Sequence, residues 1–330
     1  MKHIFIINPR SFKNSILRDF VIAEINSCFT DKNNGDYEIY TSKFPREASE
    51  VVGRFIEGNP KQETIRVYAI GGDGILFDCL NGMADYPNAE LTSVPYGNAN
   101  DYILSFGEDA ISKFRDINSL VNGVKRPVDV IQSGSDYSLL GVSVGLIGET
   151  VLLAEALFPR LPAKWLQKNA NTAYTLCGIK SAFNKEVMQQ QYNILIDGID
   201  YSGQYCNLTI SNSPNKGGGM PTIPYAKPDD GKLDVLIFRT TKSFDFLKTI
   251  GDHNKGHFEK HDIYEYIQCQ KVEIKSKVPM RIETDGEGKQ THELIVKVLP
   301  GKLNFVTPCG VDFADFSHKA YKKTVRGESK

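Results

Sequence analysis

Ile65-Arg66-Val67-Tyr68-Ala69-Ile70-Gly71-Gly72-Asp73-Gly74 reads as a buried β-strand, a tight turn and the opening of a helix. Glycines at that junction let backbone N–H groups approach a phosphate without interference from a Cβ, and Asp73 would stand beside a phosphate-bound Mg²⁺. Turn chemistry alone accounts for an isolated Gly-Gly-Asp-Gly equally well. The neighbouring segments therefore carry the argument.

Outward from this junction the same alternation repeats. Upstream come the strand His3–Ile7, a helix over Ser15–Phe29 with Ile16, Leu17, Phe20, Val21 and Ile25 on a helical period, the strand Glu38–Thr41, and a helix from Pro45 to near Gly58. Downstream comes the strand Leu91–Val94. Strand and helix in alternation predict a Rossmann-like parallel α/β sheet. After Asp129 the pattern changes to paired strands: Tyr137–Val144, Tyr192–Ile196, Gln204–Ser211, Leu233–Arg239, Gln270–Ser276, Met280–Glu283, His292–Val298 and Leu303–Val306. The hairpin signal Asp197-Gly198 lies among them, and together they predict an antiparallel β-sandwich. The fold class is thus α/β plus all-β. The expected units are residues 1–128 and 129–307, with a helical insert at 148–184 that contains Trp165 and a cleft between the units. Residues 308–330 are expected to pack back on the first unit, and Lys319–Lys330 to form a frayed terminal helix.

Bulk properties exclude several classes. The 330 residues carry 39 Lys plus Arg against 40 Asp plus Glu, so net charge offers no general affinity for nucleic acid or anionic membrane. The apolar N-terminal stretch is too short for a signal peptide core, and the run Leu139–Phe158 is broken by Gly141, Gly145, Gly148, Glu149 and Glu155, so no membrane span is expected. Cysteines 28, 79, 177, 206, 269 and 309 form no CxxC pair and fit free thiols in a reducing cytosol. A cytoplasmic protein, peripheral at most at the inner membrane face, is the expected setting.

Further polar loops follow the other strands. Val94-Pro95-Tyr96-Gly97-Asn98-Ala99-Asn100-Asp101 brings a fixed turn, amides and a carboxylate to the same sheet edge, although helix capping by Asn100 or Asp101 explains that pair too. Asn8-Pro9-Arg10-Ser11 ends the first strand and Thr41 the second, so both can face one crevice. Asp285-Gly286-Glu287 reads as a hairpin turn on its own.

Taken together these motifs resemble the diacylglycerol kinase catalytic-domain family, which includes bacterial lipid kinases and sphingosine kinases and shares a superfamily with NAD kinases. The resemblance covers nearly the whole chain. It rests on Gly71-Gly72-Asp73-Gly74 followed by Asn81-Gly82, on Pro95-Tyr96-Gly97 with Asn100-Asp101, on Asn212-Ser213 with Gly217-Gly218-Gly219, Pro224, Ala226 and Asp230-Gly231-Lys232-Leu233, and on Asp285-Gly286-Glu287. The resemblance implies a nucleotide site, for ATP or another nucleoside triphosphate, lined by Asn8, Thr41, Gly71, Gly72, Asp73, Gly74, Gly97, Asn98, Asn100 and Asp101. It implies a catalytic Mg²⁺ arranged by Asp73, Asp101 and Asp129, partly through water. A second, structural Mg²⁺ would sit on the Asp230 side chain with the backbone carbonyls of Lys227 and Lys232. Glu287 becomes the candidate general base, with Asp285 the alternative.

The chain also departs from the family pattern. Ile75 and Asn98 stand where Thr is usual, Asp78 where Glu is usual, and Tyr102 is followed by Ile103, Leu104 and Ser105 in place of Ala-Arg, so one basic phosphate contact is missing. Nucleotide choice is accordingly open. His253, His257 and His261 recur every four residues, but Gly256 interrupts the helix that would align them on a zinc ion, which leaves solvated turn and helix-end histidines.

The expected activity is phosphorylation of a lipid hydroxyl, on diacylglycerol or a related lipid, at a membrane surface. NAD kinase is the second reading, and a non-catalytic nucleotide or lipid sensor the third. Leu157, Phe158, Leu161, Trp165, Leu166, Tyr174 and Leu176 of the insert would line an apolar entrance or touch membrane, or else pack as ordinary core. Exposed sandwich edges allow a homodimer.

Overall fold

The computed structural model describes residues 1–30, 34–44, 46–240 and 242–320. Its first unit contains β1 (Lys2–Ile7), α1 (Ser15–Cys28), β2 (Asp36–Thr41), α2 (Glu47–Glu57), β3 (Ile65–Gly71), α3 (Asp73–Met83) and β4 (Ala89–Pro95), followed by the short helices α4 (Asp101–Leu104), α5 (Ala110–Phe114) and α6 (Ile117–Val121). The strands run parallel in the order β2-β1-β3-β4. β3 and β4 are buried along their whole length, which is why their sequences carry so little polar alternation. α2 buries Ala48, Val52 and Ile56 at four-residue spacing and turns Glu50 and Arg54 to solvent. The expected start of that helix, Pro45, lies outside the described residues.

The second unit contains β5 (Val124–Ser133), β6 (Asp136–Ser138), β7 (Gly141–Gly145), α7 (Leu146–Leu157), α8 (Ala163–Ala182), α9 (Lys185–Met188), β8 (Gln190–Ile196), β9 (Ile199–Asp200), β10 (Gly203–Ser211), β11 (Leu233–Arg239), α10 (Ser243–His253), β12 (Tyr264–Cys269), β13 (Lys271–Thr284) and β14 (Glu287–Thr307). These strands are antiparallel in the order β12-β11-β10-β7-β13-β14. β13 pairs with β8 near its start and with β7 near its end, and β10 also reaches both partners, so two layers close over one core. Tyr192, Ile194 and Ile196 face that core from alternate positions of β8.

Two pairs of expected strands are single strands. Gln270–Ser276 and Met280–Glu283 both belong to β13, whose register shifts between Lys275 and Met280 at Pro279; His292–Val298 and Leu303–Val306 both belong to β14, irregular between Leu299 and Leu303 at Pro300-Gly301. Proline and glycine there mark bulges instead of chain breaks. The expected Tyr137–Val144 is divided into β6 and β7, because Leu139 and Leu140 turn the chain.

β14 joins the units. Its start pairs with β13, while Asn304 and Phe305 run parallel to Glu90 and Leu91 of β4, so one sheet passes through the whole molecule. Residues 308–320 return to the first unit: Phe313 stacks on Phe106 at 4.3 Å, and the Ala314 N–H donates to the Ser105 carbonyl at 2.9 Å. Ser317–Lys319 is one short 3₁₀ turn, and the remainder of the expected terminal helix lies outside the described residues.

Candidate active site

β3 delivers the glycine turn to the carboxyl edge of the parallel sheet. α3 follows at once, with Gly72 as N-cap and no side-chain hydrogen bond to its first turn. Its leading N–H groups are therefore left for a ligand. The second loop lies directly on the first: the Tyr96 and Gly97 N–H groups donate to the Gly71 carbonyl at 2.8 and 3.0 Å. A Cβ on Gly97 would come within 2.3 Å of Gly72 Cα, so this approach requires glycine. Asn100, in the left-handed region at φ 55°, locks the loop through its side chain, which accepts from Gly97 N–H (3.0 Å) and donates to the Gly97 carbonyl (2.8 Å). Asn100 stands at the N-cap of α4, but its side chain holds the turn and makes no capping bond. Asn98 is exposed on the same loop.

Two carboxylates meet beneath these loops. Asp73 accepts from the N–H groups of Asp101 (3.0 Å) and Tyr102 (3.3 Å), and Asp101 accepts from Gly218 (3.1 Å) and Gly219 in the glycine-rich loop of the second unit. Burial, then the charge of Asp101, then that of Asp285 push the Asp73 carboxyl up to about 7. A buried, mutually repelling pair of oxygen donors such as Asp73 and Asp101 suits a hard divalent cation.

Asp129 sits in a different network. It is buried, and its carboxylate accepts from the N–H groups of Gly231 (2.6 Å) and Gly301 (2.8 Å), pinning the Asp230 turn to the irregular part of β14. Around it the chain wraps closely: the Asp129 N–H donates to the Pro228 carbonyl at 2.8 Å, and Asp230 accepts from the Lys232 N–H at 3.0 Å. Lys227 is exposed in that loop, and the Lys232 ammonium lies 3.5 Å from Gln268.

The acidic turn divides its two carboxylates between two tasks. Asp285 and Gly286, at φ 46° and 93°, form the two-residue connection between β13 and β14. Asp285 is buried and accepts from the Ser138 hydroxyl (2.6 Å) and the N–H groups of Leu139 (3.1 Å) and Gly141 (3.0 Å), with burial raising its carboxyl to about 6. It anchors the hairpin. Glu287 points the other way, half exposed, into a cavity of about 160 Å³ that it lines together with Asn8, Gly74, Ile75 and Asp78. Ser42 and Lys43, next to Thr41, line the same cavity, and Asn8 accepts from Arg10 N–H at 3.0 Å.

Sequence reasoning passed over Arg46, Lys216 and Glu283. Arg46 lines the cavity and ion-pairs with Glu287 at 3.2 Å. Lys216 and Glu283 form a buried ion pair at 2.8 Å, and Glu283 also accepts from the Gly286 N–H at 2.7 Å. Lys216 adjoins the glycines that hold Asp101, a proximity the sequence did offer. Arg46 and Glu287 stand 241 positions apart, and no local pattern links them.

Residues 2–133 match the diacylglycerol kinase catalytic domain, and residues 162–307 match the YegS C-terminal NAD kinase beta sandwich-like domain. The chain belongs to the diacylglycerol kinase catalytic-domain family. This kinase is 27% identical over 259 residues to a probable lipid kinase, YegS-like, of Shewanella frigidimarina, covering 77% of this chain and 80% of that protein. It is 25% identical over 224 residues to the diacylglycerol kinase of Bacillus subtilis, covering 67% of this chain and 70% of that one. A crystal structure of a diacylglycerol kinase from Bacillus anthracis shares its fold with a TM-score of 0.65 over 94% of this chain and 98% of that chain, at 20% identity. A second structure from the same organism reaches 0.73 over 94% and 96%, at 24% identity.

Two remaining expectations fall elsewhere in this kinase. His253 is buried at the end of α10 against Phe238 and Tyr264, where burial lowers its imidazole to about 4; His257 and His261 lie beyond that helix, so the three rings share no helix face. In the insert, Tyr174 and Leu176 are exposed, and Phe158 packs edge-on against Tyr174 at 4.8 Å. The side chains of Trp165 and Leu166 lie outside the described residues. Among the described residues no helix is long and apolar enough to cross a membrane.

Proposed function

We propose that this kinase transfers the γ-phosphoryl group of ATP, bound with Mg²⁺, to a lipid hydroxyl, that of diacylglycerol or a related lipid. The observation that carries this reading is one cavity into which both the uncapped α3 turn, through Gly74 and Ile75, and the Glu287 carboxylate open. Relatives named as lipid and diacylglycerol kinases support a lipid acceptor. In this reading Glu287 takes the acceptor's hydroxyl proton while that oxygen forms its bond to the γ-phosphorus. The bond to the bridging oxygen breaks, ADP leaves, and Glu287 returns the proton to water.

Asp73 and Asp101 would hold the Mg²⁺, which supplies charge neutralisation on the phosphate oxygens. A second Mg²⁺ would be held by the Asp230 side chain with the Lys227 and Lys232 carbonyls. Contact with a bilayer would use the exposed insert face, where Leu176 and Phe183 are 58% and 62% exposed.

The test is incubation with γ-labelled ATP, Mg²⁺ and a bacterial lipid extract in detergent, with NAD offered in parallel, for the wild type, Glu287→Gln and Asp73→Asn. One labelled lipid, lost by at least a hundredfold in both variants, is the expected outcome. Label in NAD alone, or nucleotide binding without turnover, would replace it with the other readings.

A further inference from the structure

The candidate base already has a cationic partner. Arg46 Nη2 lies 3.2 Å from Glu287 Oε2, so the start of α2 in the first unit is joined to the start of β14 in the second. The backbone of Arg46 occupies the left-handed region at φ 66° and ψ −4°, a conformation that penalises a residue with a Cβ. Two contacts hold it there: the Arg46 N–H donates to Asp78 Oδ2 at 3.1 Å, and the guanidinium carbon lies 5.3 Å from the Phe77 ring centroid. Arg46 therefore lines the cavity together with Asn8, Gly74 and Glu287.

Phosphoryl transfer in this cavity would be favoured by a cation besides any metal. Charge builds on the phosphate oxygens during phosphoryl transfer, and a positioned arginine meets it with a bidentate fork. The positions that follow Tyr102, namely Ile103, Leu104 and Ser105, supply no cation. Of the cations lining the cavity, Arg10, Lys43 and Arg46, it is Arg46 that touches the carboxylate. The pair is half exposed, with side chains 51% and 44% accessible, so it is weak and exchangeable.

We propose that Arg46 is a phosphate-contacting residue that Glu287 holds in the nucleotide-free enzyme and that exchanges this carboxylate for the terminal phosphate of an incoming triphosphate. Nucleotide arrival then releases Glu287 to receive the acceptor hydroxyl. The inference rests on the ATP reading given above.

The test is calorimetric titration of the Mg²⁺ complex of a non-hydrolysable ATP analogue into the wild type, Arg46→Gly, Glu287→Gln and the double variant. Glycine suits the left-handed backbone, so Arg46→Gly removes the side chain without straining the fold, and thermal unfolding checks this. Glu287→Gln is expected to tighten binding about two- to fivefold by removing the competitor. Arg46→Gly is expected to weaken it about tenfold, and Glu287→Gln to add no tightening in that background. Unchanged affinity in Arg46→Gly, or equal tightening by Glu287→Gln in both backgrounds, overturns the exchange and leaves the kinase reading intact if the wild type labels lipid. Failure of the wild type to bind the analogue overturns the ATP reading and this inference together.

Discussion

At the scale of single residues, the structure separates groups that look alike in sequence. Asp285 and Glu287 are two positions apart, yet Asp285 is consumed by three donors while Glu287 faces a cavity. Asp129 pins two backbone turns, whereas Asp73 and Asp101 form the repelling pair. The sequence made all of these acids legible as candidates, but which oxygens are already bonded depends on contacts between distant segments. His253 gives a testable case. Buried among Phe238 and Tyr264, it stays neutral in the fold down to about pH 4, while the unfolded chain takes up a proton near its ordinary value of 6.5. The unfolded state binds more protons within that window, so stability falls as pH drops through it, by roughly 1.4 kcal/mol per pH unit at most. His253→Phe is expected to flatten the decline of Tm between these pH values, measured by circular dichroism; an unchanged slope would show the ring to be solvated.

At the scale of elements, the apposition of the β3–α3 and β4–α4 loops builds the nucleotide edge. Gly97→Ala forces a methyl against Gly72 Cα and is expected to lower stability by roughly 1–3 kcal/mol. Gly74 offers the contrast, since a Cβ there meets nothing within 4 Å. Gly74→Ala is expected to keep or raise stability, by up to about 1 kcal/mol from helix propensity, while its methyl enters the cavity and weakens nucleotide binding. Urea unfolding and analogue titration of both variants check this, and equal destabilisation would refute it. The strand and helix types around these loops were legible because buried parallel strands and amphipathic helices leave strong patterns, as in β3 and α2. β13 and β14 were read as fragments because Pro279 and Pro300 are ordinary strand breakers and only the partner strand reveals a bulge. In α1, Val21 and Ile25 are buried while Ile16 and Phe20 are 77% and 65% exposed, so the apolar period located the helix without showing which of its residues the sheet covers.

At the scale of the whole molecule, the two units share strands. β5 and β14 pair along both of them, and the segment after β14 returns to Phe106 and Ser105. Calorimetry is expected to show one transition whose van't Hoff and calorimetric enthalpies agree; two resolved transitions would show the units to be energetically independent. The sequence announced a change of pattern near Asp129, but it did not reveal that β5 runs through that point from Val124 to Ser133. The same topology bears on recombinant expression. A fragment ending near residue 133 contains β1 to β4 yet strips β4 of Asn304 and Phe305, its parallel neighbours from the far end of the chain. That leaves a buried, charge-poor strand as a bare edge, a template for aggregation. A soluble first unit therefore has to carry the last stretch of β14 with it, grafted or supplied as a peptide.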